Sequence, residues 1–231
     1  MFSENMNASP VNPIPPVIIV VACLVIAPEV VLQAAEHGWV GGPAAIGWRN
    51  TLIERYGFFD QLFEHMRQTR QAPPSDLLRL VSYAFVHFSM MHALLATIMI
   101  LALGKRVAEE FSTVSVLVIL FLASVVGPIV YGLIFTFSYP LVGAFPAVYG
   151  LLGAYTWILW LALDGKGHAR WSAFRLIGFL MVLQLVYLLI AGGTNDWLAN
   201  LAGFVLGFGM SFVLAPDARP RLQKWLAAIR G

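Results

Sequence analysis

Apolar runs of about 20 residues recur along the whole chain, each long enough for a helix to cross a hydrocarbon core of about 30 Å. Inside a bilayer every backbone N–H and C=O must find its partner within the protein, so runs of this kind fold as helices. They fall at about 14–34, 80–103, 113–135, 143–163, 173–191 and 196–214. The predicted fold class is an all-α membrane protein built from six transmembrane helices. Composition agrees: 59% of the 231 residues are hydrophobic and 11% are charged, whereas a soluble domain carries roughly 25% charged residues. The spans use up most of the chain, which leaves one membrane domain at 14–214, a tail at 1–13 and a second tail at 215–231. Met1 to Pro13 contain no Lys or Arg, and Pro15 and Pro16 open the first run. That pattern predicts an uncleaved first helix rather than a signal peptide. Cys23 stands alone in this helix, where a buried apolar role is expected.

Basic residues give the orientation. Lys105 and Arg106 lie in the loop at 104–112, Lys166 and Arg170 in the loop at 164–172, and Arg219, Arg221, Lys224 and Arg230 in the tail. The short loops at 136–142 and 192–195 carry no Lys or Arg, so the positive-inside rule puts both termini in the cytoplasm. The long first loop, 36–78, is kept outside because Arg49, Arg55, Arg67 and Arg70 are balanced there by Glu36, Glu54, Asp60, Glu64 and Asp76. Its aromatic and aliphatic residues, among them Trp39, Trp48, Phe58, Phe59, Phe63 and Met66, alternate with those charges. Such a pattern predicts short amphipathic helices lying at the membrane interface. The tail repeats it on a smaller scale, with Leu222, Trp225, Leu226 and Ile229 set against Arg219, Lys224 and Arg230. It is expected to rest on the anionic inner leaflet of the lipid bilayer.

Within the spans, four segments carry recognisable patterns. The second opens at Arg79 and places His87, His92 and Ala96 in succession; it is followed by Gly104-Lys-Arg-Val-Ala-Glu109. The fourth starts Gly143-Ala-Phe145-Pro146-Ala-Val-Tyr149-Gly150-Leu-Leu-Gly, and the sixth contains Ala199-Asn200-Leu-Ala-Gly203-Phe-Val-Leu-Gly207. In this order and spacing, over about 79–214, they resemble the rhomboid family of intramembrane serine proteases. The resemblance implies a six-helix rhomboid-like bundle with a structured interfacial loop between helices 1 and 2. Arg79, His87, His92, Gly104, Glu109, Gly143, Tyr149, Gly150, Gly203 and Gly207 match family positions. Four positions depart from the pattern. The family has Gly-x-Ser-Gly where this chain has Phe145 and Pro146, a catalytic His where it has Asn200, and an oxyanion-binding Asn where it has Ala96.

Those departures share one chemical consequence. Acyl transfer needs a nucleophilic oxygen, a base to take its proton, and donors aimed at the oxyanion. A phenyl ring has no such oxygen, a carboxamide does not shuttle protons near neutral pH, Ala96 has no side-chain donor, and Pro146 has no backbone N–H. The resemblance therefore implies an inactive member, a rhomboid pseudoprotease. It is expected to bind the transmembrane helices of partner membrane proteins without cutting them, as a client-binding protein, an assembly factor or a subunit of a membrane complex. The alternative is an active rhomboid-family intramembrane serine endopeptidase with an unorthodox nucleophile, for example Ser138 with His92 as base. Proline suits a first helical turn, so Pro146 is expected to start the fourth helix with Phe145 just before it, filling the cavity of the site. Tyr149 is expected to meet Asn200. Small residues at four-residue spacing, Pro146, Gly150 and Ala154 against Ala199, Gly203 and Gly207, predict close packing of the fourth and sixth helices.

The resemblance further implies that partners are integral membrane proteins, held through their transmembrane helices against Leu94, Leu95, Ile98 and Met99 of the second span and Phe179, Met181, Leu185 and Tyr187 of the fifth. As metal ligands His87 and His92 are unsuited: five residues apart on one helix they point in different directions, and no third ligand is evident, so no metal site is predicted. No cofactor or nucleic-acid motif is present in the sequence. The expected location is a bacterial inner membrane, with multiple passes.

Overall fold

The computed structural model describes residues 13–134, 139–192 and 195–216. The predicted tails at 1–13 and 215–231 lie almost wholly outside the described residues, as does Ser138. Helix α1 (Pro16–Glu36) begins where Pro15 and Pro16 place it. Three short helices follow in the first loop: α2 (Trp48–Tyr56), α3 (Asp60–Thr69) and α4 (Pro74–Ser82). The remaining helices are long: α5 (Met90–Ala108), α6 (Thr113–Ile134), α7 (Phe145–Ala162), α8 (Arg175–Ala191, extended backwards by a 3-10 segment over Gly167–Phe174) and α9 (Trp197–Leu214). Six of these elements are long and apolar enough to cross a membrane, as expected.

The second span differs from the sequence expectation. The run from 80 to 103 reads as one apolar stretch, yet the helix is broken: α4 ends at Ser82, a 3-10 turn covers Tyr83–Phe85, and α5 starts at Met90. Ser89 caps the new helix by accepting the His92 backbone N–H at 3.2 Å, the usual task of a serine at this position. His87 therefore lies in the connecting segment, not on the helix that carries His92.

Burial is uneven in a way that identifies the centre. α7 is the core helix, with 61% of its span buried, whereas the Gly167–Ile190 span is 11% buried. α7 packs on α9, α6 and α5, and α1 lies along α5. The glycines explain how closely. A Cβ on Gly203 would overlap the Pro146 carbonyl, and one on Gly207 the Gly150 carbonyl. On the other flank, a Cβ on Gly104 would come within 2.9 Å of Ile18, so α1 also sits tightly. The expected approach of the fourth and sixth spans is present, and it is a contact of backbone with backbone.

The first loop is structured as predicted. Arg79 Nη1 donates to the carbonyls of Glu54 and Gly57 at 2.8 and 2.9 Å, and Ser82 Oγ donates to the Tyr56 carbonyl at 2.9 Å. Phe58 and Leu141 exchange backbone hydrogen bonds of 3.0 and 2.9 Å, which pins the loop to the segment leading into α7. Cys23 departs from its expected burial: it is exposed on the outer face of α1.

Candidate functional site

The site forms where the broken second span meets the start of α7. Gly143 has φ +99°, a conformation that L side chains rarely adopt, and a Cβ there would stand 2.7 Å from His92 Cε1. Its N–H donates to the Tyr83 carbonyl at 2.9 Å. The next N–H, of Ala144, donates to His87 Nε2 at 3.3 Å, so the neutral ring carries its proton on Nδ1. Two consecutive amides are thus held by the segment that interrupts the second span. The acceptors are the Tyr83 carbonyl and the His87 ring, both in the connection between α4 and α5.

His87 is 1% exposed. His92 lies 5.3 Å from it, ring centre to ring centre, in an edge-on arrangement; the two rings converge rather than diverge, because they no longer share a helix. Phe145 stacks on His92 almost parallel, at 4.9 Å and 10°, and Phe88 stacks on the same ring at 6.0 Å. Phe145 is half-buried and forms the first residue of α7, with Pro146 second, one residue earlier than expected. Pro146 is buried, and its missing N–H costs the helix nothing at that position.

Asn200 is fully buried on α9, and neither atom of its carboxamide has a hydrogen-bond partner among the described residues. The Asn200 carboxamide thus makes no hydrogen bond to the Tyr149 hydroxyl. Ala96 is likewise fully buried. Among the described residues no Ser, Thr or Cys side chain hydrogen-bonds to either imidazole. The nearest hydroxyl in sequence, Ser89, is engaged with the His92 backbone.

Behind this cluster sits a group that the sequence reading passed over. Arg49 donates to both oxygens of Glu29 at 2.8 Å, to Glu36 at 2.7 Å and to the His87 carbonyl at 2.9 Å. Glu29 is 1% exposed within α1, and the hydrogen bond it accepts is the main cause that raises the pKa of Arg49 above its ordinary value. A carboxylate inside an apolar span calls for a partner. Glu29, an acidic residue inside an apolar run, is the sequence signal that could have found this pair, whereas no spacing names Arg49 as its partner.

Residues 74–217, more than half of the chain, match the family model of the Rhomboid domain. The chain belongs to the rhomboid family. A relative, Rhomboid-like protease 3 of Toxoplasma gondii, is 28% identical over 157 residues, which is 67% of this chain and 57% of that protein. The match thus spans less than two thirds of the relative's own length. With six apolar helices of spanning length, this rhomboid is a multi-pass membrane protein.

The other family-register positions are scaffold in this rhomboid. Glu109 caps the end of α5 and pairs with Arg106 at 2.7 Å, Tyr149 is buried in α7, and a Cβ on Gly150 would stand 2.6 Å from that of Ala123 on α6. Of the residues expected to meet a partner, Leu94, Leu95 and Ile98 on α5 and Phe179, Leu185 and Tyr187 on α8 are exposed. Met99 and Met181 are half-buried and packed on the core.

Proposed function

We propose that this rhomboid is a pseudoprotease that recognises the transmembrane helices of other membrane proteins and does not cleave them. The observation that carries the reading is the stack of Phe145 on His92 at 4.9 Å. At the position where the family resemblance expects a serine, an apolar ring lies flat on the imidazole, occupying the space that a scissile carbonyl would need. Asn200 and Ala96, at the other expected catalytic positions, supply neither a base nor an oxyanion donor. Catalytic groups of this kind act as a unit, so losing one already removes most of the rate. The scaffold around them, with its tight α7–α9 contact, is kept. In this reading the protein spans a bacterial inner membrane with both termini on the cytoplasmic side, a side supported by the basic residues of the 104–112 and 164–172 loops, and it holds partners along α5 and α8.

Two experiments test the reading. In proteoliposomes the protein should cleave no transmembrane substrate, should not react with a fluorophosphonate, and should remain silent as the Phe145→Ser variant, since Asn200 and Pro146 are still in place. Cleavage by the unmodified protein would overturn it. Photoreactive residues at positions 94–99 or 179–187 should crosslink a partner helix. Crosslinks from the first loop or the tail alone would instead describe a subunit docked at the surface.

A further inference from the structure

Helix α8 is rooted at one end only. Phe174, directly before it, lies 5.4 Å from the ring of Trp160 and 5.4 Å from that of Phe208 on α9, while Leu189 and Ile190 at the far end are 84% and 81% exposed. The turn leading into this root uses one of its cations internally. Arg170 lies over the Trp160 ring at 4.0 Å, donates from Nε to the Trp160 carbonyl at 3.2 Å and pairs with Asp164 at 3.0 Å. Asp164 is the only acidic residue from 164 to 190, so the turn has no second carboxylate to offer. Lys166 and Arg175 are left over. Both are exposed, and among the described residues neither forms an ion pair or a side-chain hydrogen bond. Between them in sequence stands Trp171, 65% exposed although its ring touches those of Trp160 and Phe174.

An exposed indole belongs at the level where the membrane meets water. From Arg175 the helix leaves that level with Phe179, Val182 and Val186 at i+4, i+7 and i+11, which share one face, and all three are exposed. Ile177, Leu180 and Met181 form the face packed on the core. Eleven residues of helix rise about 16 Å, half of a hydrocarbon layer of about 30 Å and so the depth of one leaflet. Cation, interfacial ring and apolar stripe thus follow one another in the order of the parts of a phospholipid. We propose that the root of α8 is a binding site for an anionic phospholipid. Arg175 pairs with the headgroup phosphate, Lys166 adds positive charge at the polar edge, Trp171 packs at the glycerol level, and an acyl chain lies along Phe179, Val182 and Val186. Charge selects the occupant. A zwitterionic headgroup brings its own cation, whereas an anionic one neutralises the two that the protein leaves unpaired, as basic clusters at membrane surfaces do. The site is separate from the helix-binding reading above and does not depend on it.

The test uses the full chain in phosphatidylcholine vesicles doped with a small fraction of phosphatidylglycerol that carries a diazirine in its acyl chain, or with the matching diazirine phosphatidylcholine. After irradiation, labelled peptides are mapped by mass spectrometry. The anionic probe should label residues 171–186 roughly 5- to 25-fold more heavily than the zwitterionic one, about 5-fold for each basic residue at the surface. Arg175→Gln should lower that ratio about 5-fold, and adding Lys166→Gln should bring it towards one. Equal labelling by the two probes overturns the proposal, and so does an excess that survives in the double variant or maps only to other parts of the chain. Inorganic phosphate at matched ionic strength should leave the excess intact; its loss would make this a site for free phosphate instead of lipid. Both side chains are exposed and unpaired, so the double variant should melt in lipid-free detergent at the temperature of the unmodified protein. A lower melting temperature would assign the two cations to the scaffold and overturn the proposal as well.

Discussion

At Arg49 a single guanidinium holds α1 through Glu29 and Glu36 and the site segment through the His87 carbonyl. Removing it would leave the Glu29 carboxylate buried and unpaired. Arg49→Met should therefore cost about 3–5 kcal/mol of stability, measured as a shift in thermal unfolding in detergent. Adding Glu29→Gln to that variant should recover part of the loss, because the stranded charge is then gone.

Among the helices, the contact of α7 with α9 sets the tightest tolerance. Gly203→Val should drive a side chain into the Pro146 carbonyl and cost more than the 1–3 kcal/mol typical of overpacking. Gly178→Ala on α8 meets nothing within 4 Å and should leave the melting temperature within about a degree, consistent with a surface change. Small-residue stripes made the α7–α9 contact legible in the sequence, because only glycine and alanine allow such an approach. The break between α4 and α5 was not legible. Tyr83, Ala84, Phe85, Val86 and Phe88 are as apolar as any membrane helix, yet in the fold the Tyr83 carbonyl and the His87 ring accept from the distant amides of Gly143 and Ala144. Hydropathy records how much apolar surface a segment has, not which of its carbonyls are needed elsewhere. For the same reason, the convergence of His87 and His92 could not be read from a spacing of five residues.

The whole molecule combines a rigid half with a loosely attached helix. α1, α5, α6, α7 and α9 interlock through Gly104, Gly150, Gly203 and Gly207, the first loop is tied to the entry of α7 by the Phe58–Leu141 pairing, and α8 hangs from its aromatic root. The proposed loss of chemistry is compatible with this shape, because the residues that set the shape are glycines and backbone carbonyls, distinct from the side chains at the site. Under the proposed helix-binding reading, the distance of α8 from that frame is the quantity to follow. The exposure of Cys23 makes that quantity measurable with little disturbance. It is the one cysteine in 231 residues, and it faces outward from α1, a helix that belongs to the rigid half. The natural protein thus already carries a single thiol handle on its fixed frame. One added cysteine on α8, at Leu189 for instance, would complete a pair of spin labels, and the distribution of distances between them would serve as a ruler for the opening, read with and without a bound peptide.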